Sequence, residues 1–331
     1  MITDLRVAAR RLGWFGWGVV SLVVLAIAAF PMSVAPYTTS LALSVGMYIV
    51  LAASWNLMAG FAGYVSFGHV AFWGMGAYGT AVVASRADVA WPIAVLGGAG
   101  ASLALALVMM VPILRLSGVY FAISTLAVAE AVRVFVGYFE LTGAGGGLSL
   151  PPLLTLIDSF YLMWVLVLVA VGITYTLRYT RFGRSLIAIR ENEAAAEASG
   201  IPTGRVKAKA FLLSALLAGL SGSIYVLNVA FIDPGTAFDI RITLTTIMVA
   251  MLGGIGTVLG PVVGAIAFQI PSEMLWSEFP EWHKAAQGAF IIIVVMLVPK
   301  GLIPAVGTLR RRFTGRDEAS APESDERRPV S

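Results

Sequence analysis

Residues 37–59 read YTTSLALSVGMYIVLAASWNLMA, and this stretch decides the class of fold. It contains no charged side chain, and it lies inside a longer run, Leu12 to Ser85, that has no Asp, Glu, Lys or Arg. A helix of about 20 apolar residues is needed to cross a hydrocarbon layer roughly 30 Å thick. The stretch therefore predicts a transmembrane helix, and the surrounding run predicts several in succession.

The composition of the whole chain agrees with this interpretation. Hydrophobic residues make up 59% and charged residues 12%, against roughly a quarter charged in a soluble domain. The chain has no cysteine, which excludes disulfides and thiolate metal sites. Its formal net charge of +4 lies mostly in loops, where it indicates orientation in the membrane rather than nucleic-acid binding. We expect an all-α polytopic membrane protein.

The uncharged run from Ile240 to Ile270 is too long for one upright helix at about 1.5 Å per residue. Gly253, Gly254 and Gly256 interrupt it, so we expect two short spans hinged at these glycines. The other predicted spans are Trp14–Ala35, Tyr37–Ala59, Gly63–Ser85, Trp91–Leu114, Ser117–Phe139, Phe160–Leu177, Ala210–Phe231 and about Lys284–Val298.

The distribution of basic residues predicts the topology, because Lys and Arg near span ends favour the cytoplasmic side. With the N-terminus inside, all the basic clusters fall on that side if the glycine-hinged region crosses twice. This favours about ten transmembrane helices with both termini cytoplasmic, and leaves nine or eight as alternatives. The expected divisions are a cytoplasmic N-terminal segment at residues 1–12, a membrane domain at 13–304 and a disordered cytoplasmic tail at 305–331.

Several kinds of chemistry are excluded or disfavoured. A phosphate-binding P-loop needs a Gly-Lys pair, and no lysine in the sequence follows a glycine, so any ATP is bound by another subunit. Gly74, Gly76 and Gly79 satisfy G-x-G-x-x-G, but no strand precedes them, which favours close helix packing. Residues 219–223, GLSGS, fall one residue short of a nucleophile elbow, so an intramembrane hydrolase is disfavoured.

A few residues inside the predicted spans are candidates for a translocation pathway. Glu130 and Arg133 share one helix face at i,i+3, where they either line a pathway or form a salt bridge that fixes helix packing. Ser66 and His69 lie in a glycine- and aromatic-rich stretch, and the alternative for His69 is a structural hydrogen bond to a carbonyl. The remaining candidates are the hinge glycines Gly253 and Gly254.

A hydrophilic island, residues 178–209, interrupts the apolar chain with RYTRFGRSLIAIRENEAAAEASGIPTGRVKAK. Helices are predicted at Phe182–Ile189 and Glu193–Ser199, and Gly200 ends the second. A short helix with small side chains ringed by charge suits a socket on a soluble protein better than an ordinary solvated loop. The candidate docking residues are Arg184, Arg190, Glu191, Glu193, Ala194, Ala195 and Gly200.

Residues 183–201, GRSLIAIRENEAAAEASGI, resemble the cytoplasmic loop of LivM-type permease subunits of branched-chain amino acid ABC importers. Four other segments resemble the same family in the same order, so that the resemblance covers about Ser40 to Pro304. They are GYVSFGHVAFWGMGAY at 63–78, LRLSGVYFAISTLAVAEAVRV at 114–134, AFLLSALLAGLSGSIY at 210–225 and MLGGIGTVLGPVVGA at 251–265.

The resemblance implies a ten-helix, type II-like importer permease fold in the bacterial inner membrane. It implies a second, LivH-type permease, two LivG/LivF-type ATPase subunits and an extracytoplasmic solute-binding protein as partners. The chain itself is then neither an enzyme nor a cofactor-binding protein, because ATP and Mg²⁺ are bound by the ATPases. Branched-chain amino acids are the expected substrate. Urea or short-chain amides are the alternative within the family, and an ion-gradient-driven secondary transporter is the alternative outside it.

Overall fold

The computed structural model of the chain describes residues 18, 21–86, 89–151, 153–278, 288–289 and 301–303. Helices dominate these ranges, which confirms the predicted all-α polytopic class. The α-helices are α1 (Ser21–Ser33), α2 (Pro36–Asn56), α3 (His69–Arg86), α4 (Trp91–Ile113), α5 (Gly118–Tyr138), α6 (Leu156–Tyr179), α7 (Arg181–Glu191), α8 (Glu193–Ala198), α9 (Thr203–Val229), α10 (Pro234–Ala237), α11 (Ile240–Gly253) and α12 (Gly260–Glu278). A π-helical turn (Leu57–Phe61) follows α2, 3-10 turns lie at Glu140–Thr142 and Ala144–Gly146, and β1 (Leu148–Ser149) pairs antiparallel with β2 (Phe231–Ile232).

Six helices in the described residues are long and apolar enough to cross a membrane. They are Pro36–Phe61, Trp91–Ile113, Gly118–Tyr138, Leu156–Tyr179, Thr203–Val229 and Pro234–Gly253. The ten-span topology therefore stays a prediction. Its last span, Lys284–Val298, lies outside the described residues apart from 288–289, as do residues 1–12 and the tail at 305–331.

The largest differences from the predicted helix starts are at Gly63 and Ala210. The span predicted from Gly63 begins only at His69, because Gly63 takes a left-handed φ of +80° and residues 63–68 are not helical. The span predicted from Ala210 begins at Thr203, so the end of the island belongs to α9. The charges of residues 203–209 suggested a loop, whereas the helix accommodates Lys207 by pairing it inside the protein.

Helices α3, α4 and α9 cross so closely that their contacts require glycine. A Cβ atom at Gly76 would lie 2.1 Å from the carbonyl oxygen of Gly219, and one at Gly98 would lie 2.3 Å from that of Gly76. Both distances are far below van der Waals contact. The predicted packing role of the G-x-G-x-x-G motif is thus confirmed. Most residues of α3 are buried within this chain.

The glycine-rich region folds as two helices, as predicted. Helix α11 ends where Gly254 and Gly256 take φ values of +117° and +75°, and α12 begins at Gly260. The helices then pack face to face, since a Cβ at Gly253 would lie 1.7 Å from the Gly260 carbonyl oxygen. A further Cβ at Gly264 would lie 1.9 Å from the Val249 carbonyl oxygen.

Candidate functional site

The hydrophilic island folds into two short capped helices, close to the predicted ones. The Thr180 hydroxyl accepts a 3.2 Å hydrogen bond from the Gly183 amide at the start of α7, and the Asn192 side chain accepts one of 3.0 Å from the Ala195 amide at the start of α8. Gly200 ends the second helix with a φ of +82°. Side chains that compete for backbone donors are favoured at such positions, so the caps fix where each helix begins.

Helix α8 presents a face of small side chains to solvent. Ala194, Ala195 and Ala198 are exposed, whereas Ala196 is buried against the rest of the protein. A Cβ at Gly200 would meet open space. The candidate docking residues Ala194, Ala195 and Gly200 therefore lie on an accessible surface, and Arg184 on α7 is also exposed and donates a 3.4 Å hydrogen bond to the Tyr179 carbonyl.

Glu193 points inward and does not belong to this exposed face. Its carboxylate lies 2.5 Å from the Lys207 ammonium nitrogen and accepts a short hydrogen bond from the Tyr64 hydroxyl. Lys207 also donates to the Tyr64 oxygen at 3.0 Å and to the Leu114 carbonyl at 3.2 Å. We refer to Tyr64, Glu193 and Lys207 as the Glu193 cluster. It joins α8 to α9 and to the loop before α3.

The surroundings of the Glu193 cluster keep its carboxylate ionised. Burial opposes ionisation of Glu193, but hydrogen bonds from Lys207 and Tyr64 outweigh it and hold the pKa of Glu193 below its usual value. The Lys207 side chain is only 7% exposed and the Glu193 side chain 32%. A charge as enclosed as that of Lys207 is stable only when it is paired. The arrangement suits the positioning of a helix and not proton transfer.

Arg190 connects α7 to the π-helical turn that follows α2. It donates a 2.8 Å hydrogen bond to the Gly60 carbonyl in the π-helical turn, and its remaining donors pair with Glu191 at 2.7 and 3.2 Å. Gly63 packs against the Arg190 side chain, where a Cβ would lie 2.9 Å from its Cγ atom. The island is thus anchored at both α7 and α8.

The same region contacts the break between α11 and α12. The Asn56 side chain accepts a 2.8 Å hydrogen bond from the Gly256 amide and donates one of 3.0 Å to the Thr257 carbonyl. A Cβ at Gly60 would lie 2.7 Å from the Gly256 amide nitrogen. The hinge at Gly253 and Gly254 is therefore linked to the island through Asn56 and Gly60. Arg190 of the island binds the carbonyl oxygen of Gly60.

Ser66 and His69 lie deep among the helices. Each is 1% exposed. The His69 Nε2 atom lies 3.0 Å from the Ser54 hydroxyl and 3.1 Å from that of Ser214, which brings α2, α3 and α9 together. The Ser66 carbonyl accepts a 2.8 Å hydrogen bond from the Trp55 indole. Their assignment to the pathway stays a prediction, because in this conformation a solute reaches them only if the helices separate.

Glu130 and Arg133 do form the predicted pair. The Arg133 Nε atom donates to the two Glu130 carboxylate oxygens at 3.0 and 2.9 Å. The Glu130 side chain is 58% exposed and that of Arg133 39%, on the outer face of α5. The pair therefore does not fix packing within this chain. Charged side chains within a membrane span are rarely placed against lipid, so we expect this face of α5 to contact water or another protein.

A cavity of about 430 Å³ lies at the end of the bundle opposite the island. Aromatic side chains line it together with the carboxylate of Asp233, which also caps α10 by accepting hydrogen bonds from the Gly235 and Thr236 amides at 2.9 and 3.0 Å. Its aromatic lining residues are Tyr48, Trp73, Tyr225 and Phe231. Sequence reasoning missed this cavity, because its walls come from distant parts of the chain.

Sequence reasoning also missed Tyr64 and Lys207. One signal was available for Lys207, which precedes Ala210, Phe211 and Ser214 at helical spacings of three, four and seven. All three of these residues are buried, so the spacing placed Lys207 on the inner face of α9. No comparable signal exists for Tyr64, which lies outside the helices.

The chain matches over residues 37–295 the family described as branched-chain amino acid transport system / permease component. It is similar to the high-affinity branched-chain amino acid transport system permease protein LivM of Escherichia coli (strain K12), at 29% identity over 322 residues, which cover 86% of this chain and 74% of that protein. The LivM protein of Salmonella typhimurium (strain LT2) is 27% identical over 321 residues, with the same coverage of 86% and 74%.

Another relative is named for the import of a different solute. The autoinducer 2 import system permease protein LsrC of Yersinia pseudotuberculosis serotype O:3 (strain YPIII) is 26% identical over 174 residues, which cover 51% of this chain and 50% of that protein. No solved structure matches the chain.

Proposed function

The chain belongs to the branched-chain amino acid transport permease family, and we propose that it is a membrane-spanning subunit of an ATP-driven importer for branched-chain amino acids. The observation that carries the proposal is the construction of α8. Its outer face is small and accessible, and its first residue, Glu193, is held from below by Lys207 and Tyr64. Such a helix can receive a displacement from a soluble partner and pass it into the membrane domain.

The proposed coupling runs along the contacts beneath the island. When a partner ATPase moves α8, the Glu193 cluster carries the displacement to α9 and to the loop before α3. Arg190 carries the movement of α7 to Gly60, next to the glycine break between α11 and α12. Helix termini and glycine breaks are the positions that absorb such motions. Separation of α2, α3 and α9 would open the region around Ser66 and His69.

The outer face of α5 is the proposed boundary with a second permease of LivH type. Only 22% of the residues in an apolar 18-residue stretch of α5 are buried within this chain, against 72% for the corresponding stretch of α9. Glu130 and Arg133 lie on this face, where contact with lipid would be costly. In an assembly of two permeases the face lines the shared pathway or the contact beside it.

The other proposed partners and the location follow from the family. Two ATPase subunits of LivG/LivF type bind ATP and Mg²⁺, since this chain contains no Gly-Lys phosphate loop. An extracytoplasmic solute-binding protein delivers the amino acid from the side opposite the island. The subunit lies in the bacterial inner membrane with about ten spans in a type II-like arrangement, and its island and both termini are cytoplasmic.

The family description and the two relatives named LivM favour branched-chain amino acids over urea or amides. They equally favour an importer subunit over a gradient-driven secondary transporter. The aromatic cavity edged by Asp233 accords with a cargo that has an apolar side chain and an ammonium group, and the position of the cavity suits entry from the binding protein.

The decisive experiment places a bulky side chain on the outer face of α8. In the complex co-expressed with its predicted partners, Ala195→Tyr should abolish uptake of labelled leucine and release the ATPase subunits during purification. Ala104→Tyr, at an exposed alanine near the middle of α4, serves as the matched control. Normal leucine uptake by the Ala195→Tyr complex would contradict the docking role of α8.

A further inference from the structure

A groove of about 900 Å³ runs along the outside of the bundle between α6 and α9. Its volume is in the range of small-molecule sites, roughly 300–1,000 Å³. Most of its walls are aliphatic, and Val169, Ile173 and Leu213 represent them. The end at the hydrophilic island differs, because Arg181 and Lys209 line it there. We refer to this feature as the α6–α9 groove.

Both basic side chains are available to a ligand. Arg181 and Lys209 are exposed, and neither forms an ion pair with any of the residues that the structure describes. Arg181 is also the first residue of α7, an 11-residue helix, so the positive end of that helix adds to the same potential. Two cations and a helix start converge on one end of an apolar groove.

The length of the groove matches one leaflet of a bilayer. Val169 on α6 and Thr180, the residue that follows this helix, mark the two ends of the groove and are eleven residues apart, which corresponds to about 16 Å along a helix. This is close to half of a hydrocarbon layer roughly 30 Å thick. A molecule with its charged group at Arg181 and Lys209 would therefore extend an apolar chain to about the middle of the membrane.

We propose that the α6–α9 groove binds an anionic phospholipid, with its phosphate held by Arg181 and Lys209 and an acyl chain lying along Val169, Ile173 and Leu213. Charge complementarity selects an anionic over a zwitterionic lipid. The apolar walls select a lipid over a free anion. Because α7 begins at Arg181 and leads to the docking helix α8, the bound lipid would also steady the base of the island.

The test uses the full-length protein in mild detergent, titrated with phosphatidylglycerol or phosphatidylcholine and read by native mass spectrometry. Wild type should bind one phosphatidylglycerol tightly and prefer it to phosphatidylcholine. The Arg181→Gln/Lys209→Gln variant should bind phosphatidylglycerol about 25-fold more weakly, since each basic side chain near an anionic surface contributes roughly fivefold. The matched control is Arg178→Gln/Arg205→Gln, which removes two exposed cations that do not line the groove.

A second pair of variants tests the apolar part. A Cβ at Gly172, in the groove wall, meets nothing within 4 Å, so Gly172→Leu should fill the groove without strain and abolish tight lipid binding. Gly100 on α4 is equally open and lies outside the groove, which makes Gly100→Leu its control. If the glutamine variant fails to fold, the charge-conserving Arg181→Lys/Lys209→Arg variant replaces it and should retain the lipid.

Three results would overturn the proposal. The first is a lack of selectivity, seen as equal binding of the two lipids by wild type or as equal loss in the groove and control variants. The second is displacement of the lipid by inorganic phosphate, which would indicate a site for anions alone. The third is a cross-link from a cysteine placed at Gly172, the single thiol in an otherwise cysteine-free chain, to a protein segment in the complex. None of these results bears on the docking role of α8.

Discussion

Two of the ion pairs in the described residues, Glu193 with Lys207 and Glu130 with Arg133, are built in opposite ways. The first joins two helices, and both of its members form hydrogen bonds with the hydroxyl of Tyr64. The side chain of its lysine is 7% exposed. The second lies on a single helix, and its side chains are 58% and 39% exposed. An enclosed pair depends on the fold and is costly to break, whereas an exposed pair on one helix contributes little to stability. The difference indicates which pair can transmit force between helices.

The difference between the two pairs should have its largest effect at Lys207. In Lys207→Met, Glu193 loses its principal partner beside the buried Tyr64, and we expect a loss of about 3 kcal/mol of unfolding free energy, the low end for a broken buried pair. SDS unfolding in mixed micelles measures this loss. Leucine uptake by the assembled complex should fall with it, because α8 is no longer held.

The double variant Glu193→Gln/Lys207→Met supplies the control for this prediction. It removes both charges together, so it should recover much of the stability lost in Lys207→Met alone. If the double variant is as unstable as the sum of the two single variants, the two residues are not coupled. In that case the cluster would not differ in kind from the pair on α5.

The Tyr64 hydroxyl is a further difference between the two pairs, because the exposed pair has no equivalent third member. Tyr64→Phe removes hydrogen bonds to both charged partners and should cost about 2 kcal/mol, within the range for hydrogen bonds to charged groups. Tyr161→Phe is the matched control, since its hydroxyl donates a 2.9 Å bond to the Ala28 carbonyl at the outside of the bundle. Equal unfolding free energies for the two phenylalanine variants would argue against a special role for the cluster.

The contrast between the pairs also explains what the sequence could predict. Glu130 and Arg133 were found because their spacing of three is visible on one helix, and α7, α8 and the α11–α12 break were found because caps and glycines are local signals. Tyr64 and Lys207 are 143 positions apart, and only the folded chain brings them to 3.0 Å. The inward direction of Glu193 was not visible in the sequence for the same reason, because its buried partner lies in another helix.

Arg190 combines both kinds of contact in one residue. It pairs locally with Glu191, whose side chain is 69% exposed, and it donates a long-range hydrogen bond to the Gly60 carbonyl. Arg190→Gln should therefore cost about 1 kcal/mol, whereas Glu191→Gln should cost only a few tenths. Unfolding in mixed micelles compares the two. A larger loss for Glu191→Gln would mean that the local pair, not the contact with the π-helical turn, holds α7.

The smallest effect is expected at the exposed pair. In the isolated chain in detergent, a double-mutant cycle of Glu130→Gln and Arg133→Gln should give a coupling energy of about 0.5 kcal/mol, as for an i,i+3 pair on a hydrated helix surface. Added salt should weaken it. A coupling energy above about 2 kcal/mol would show that the α5 face is enclosed even without a partner permease. Such a coupling energy would contradict the proposed contact of this face with a second permease, because both charges would already be paired in an enclosed site within this chain.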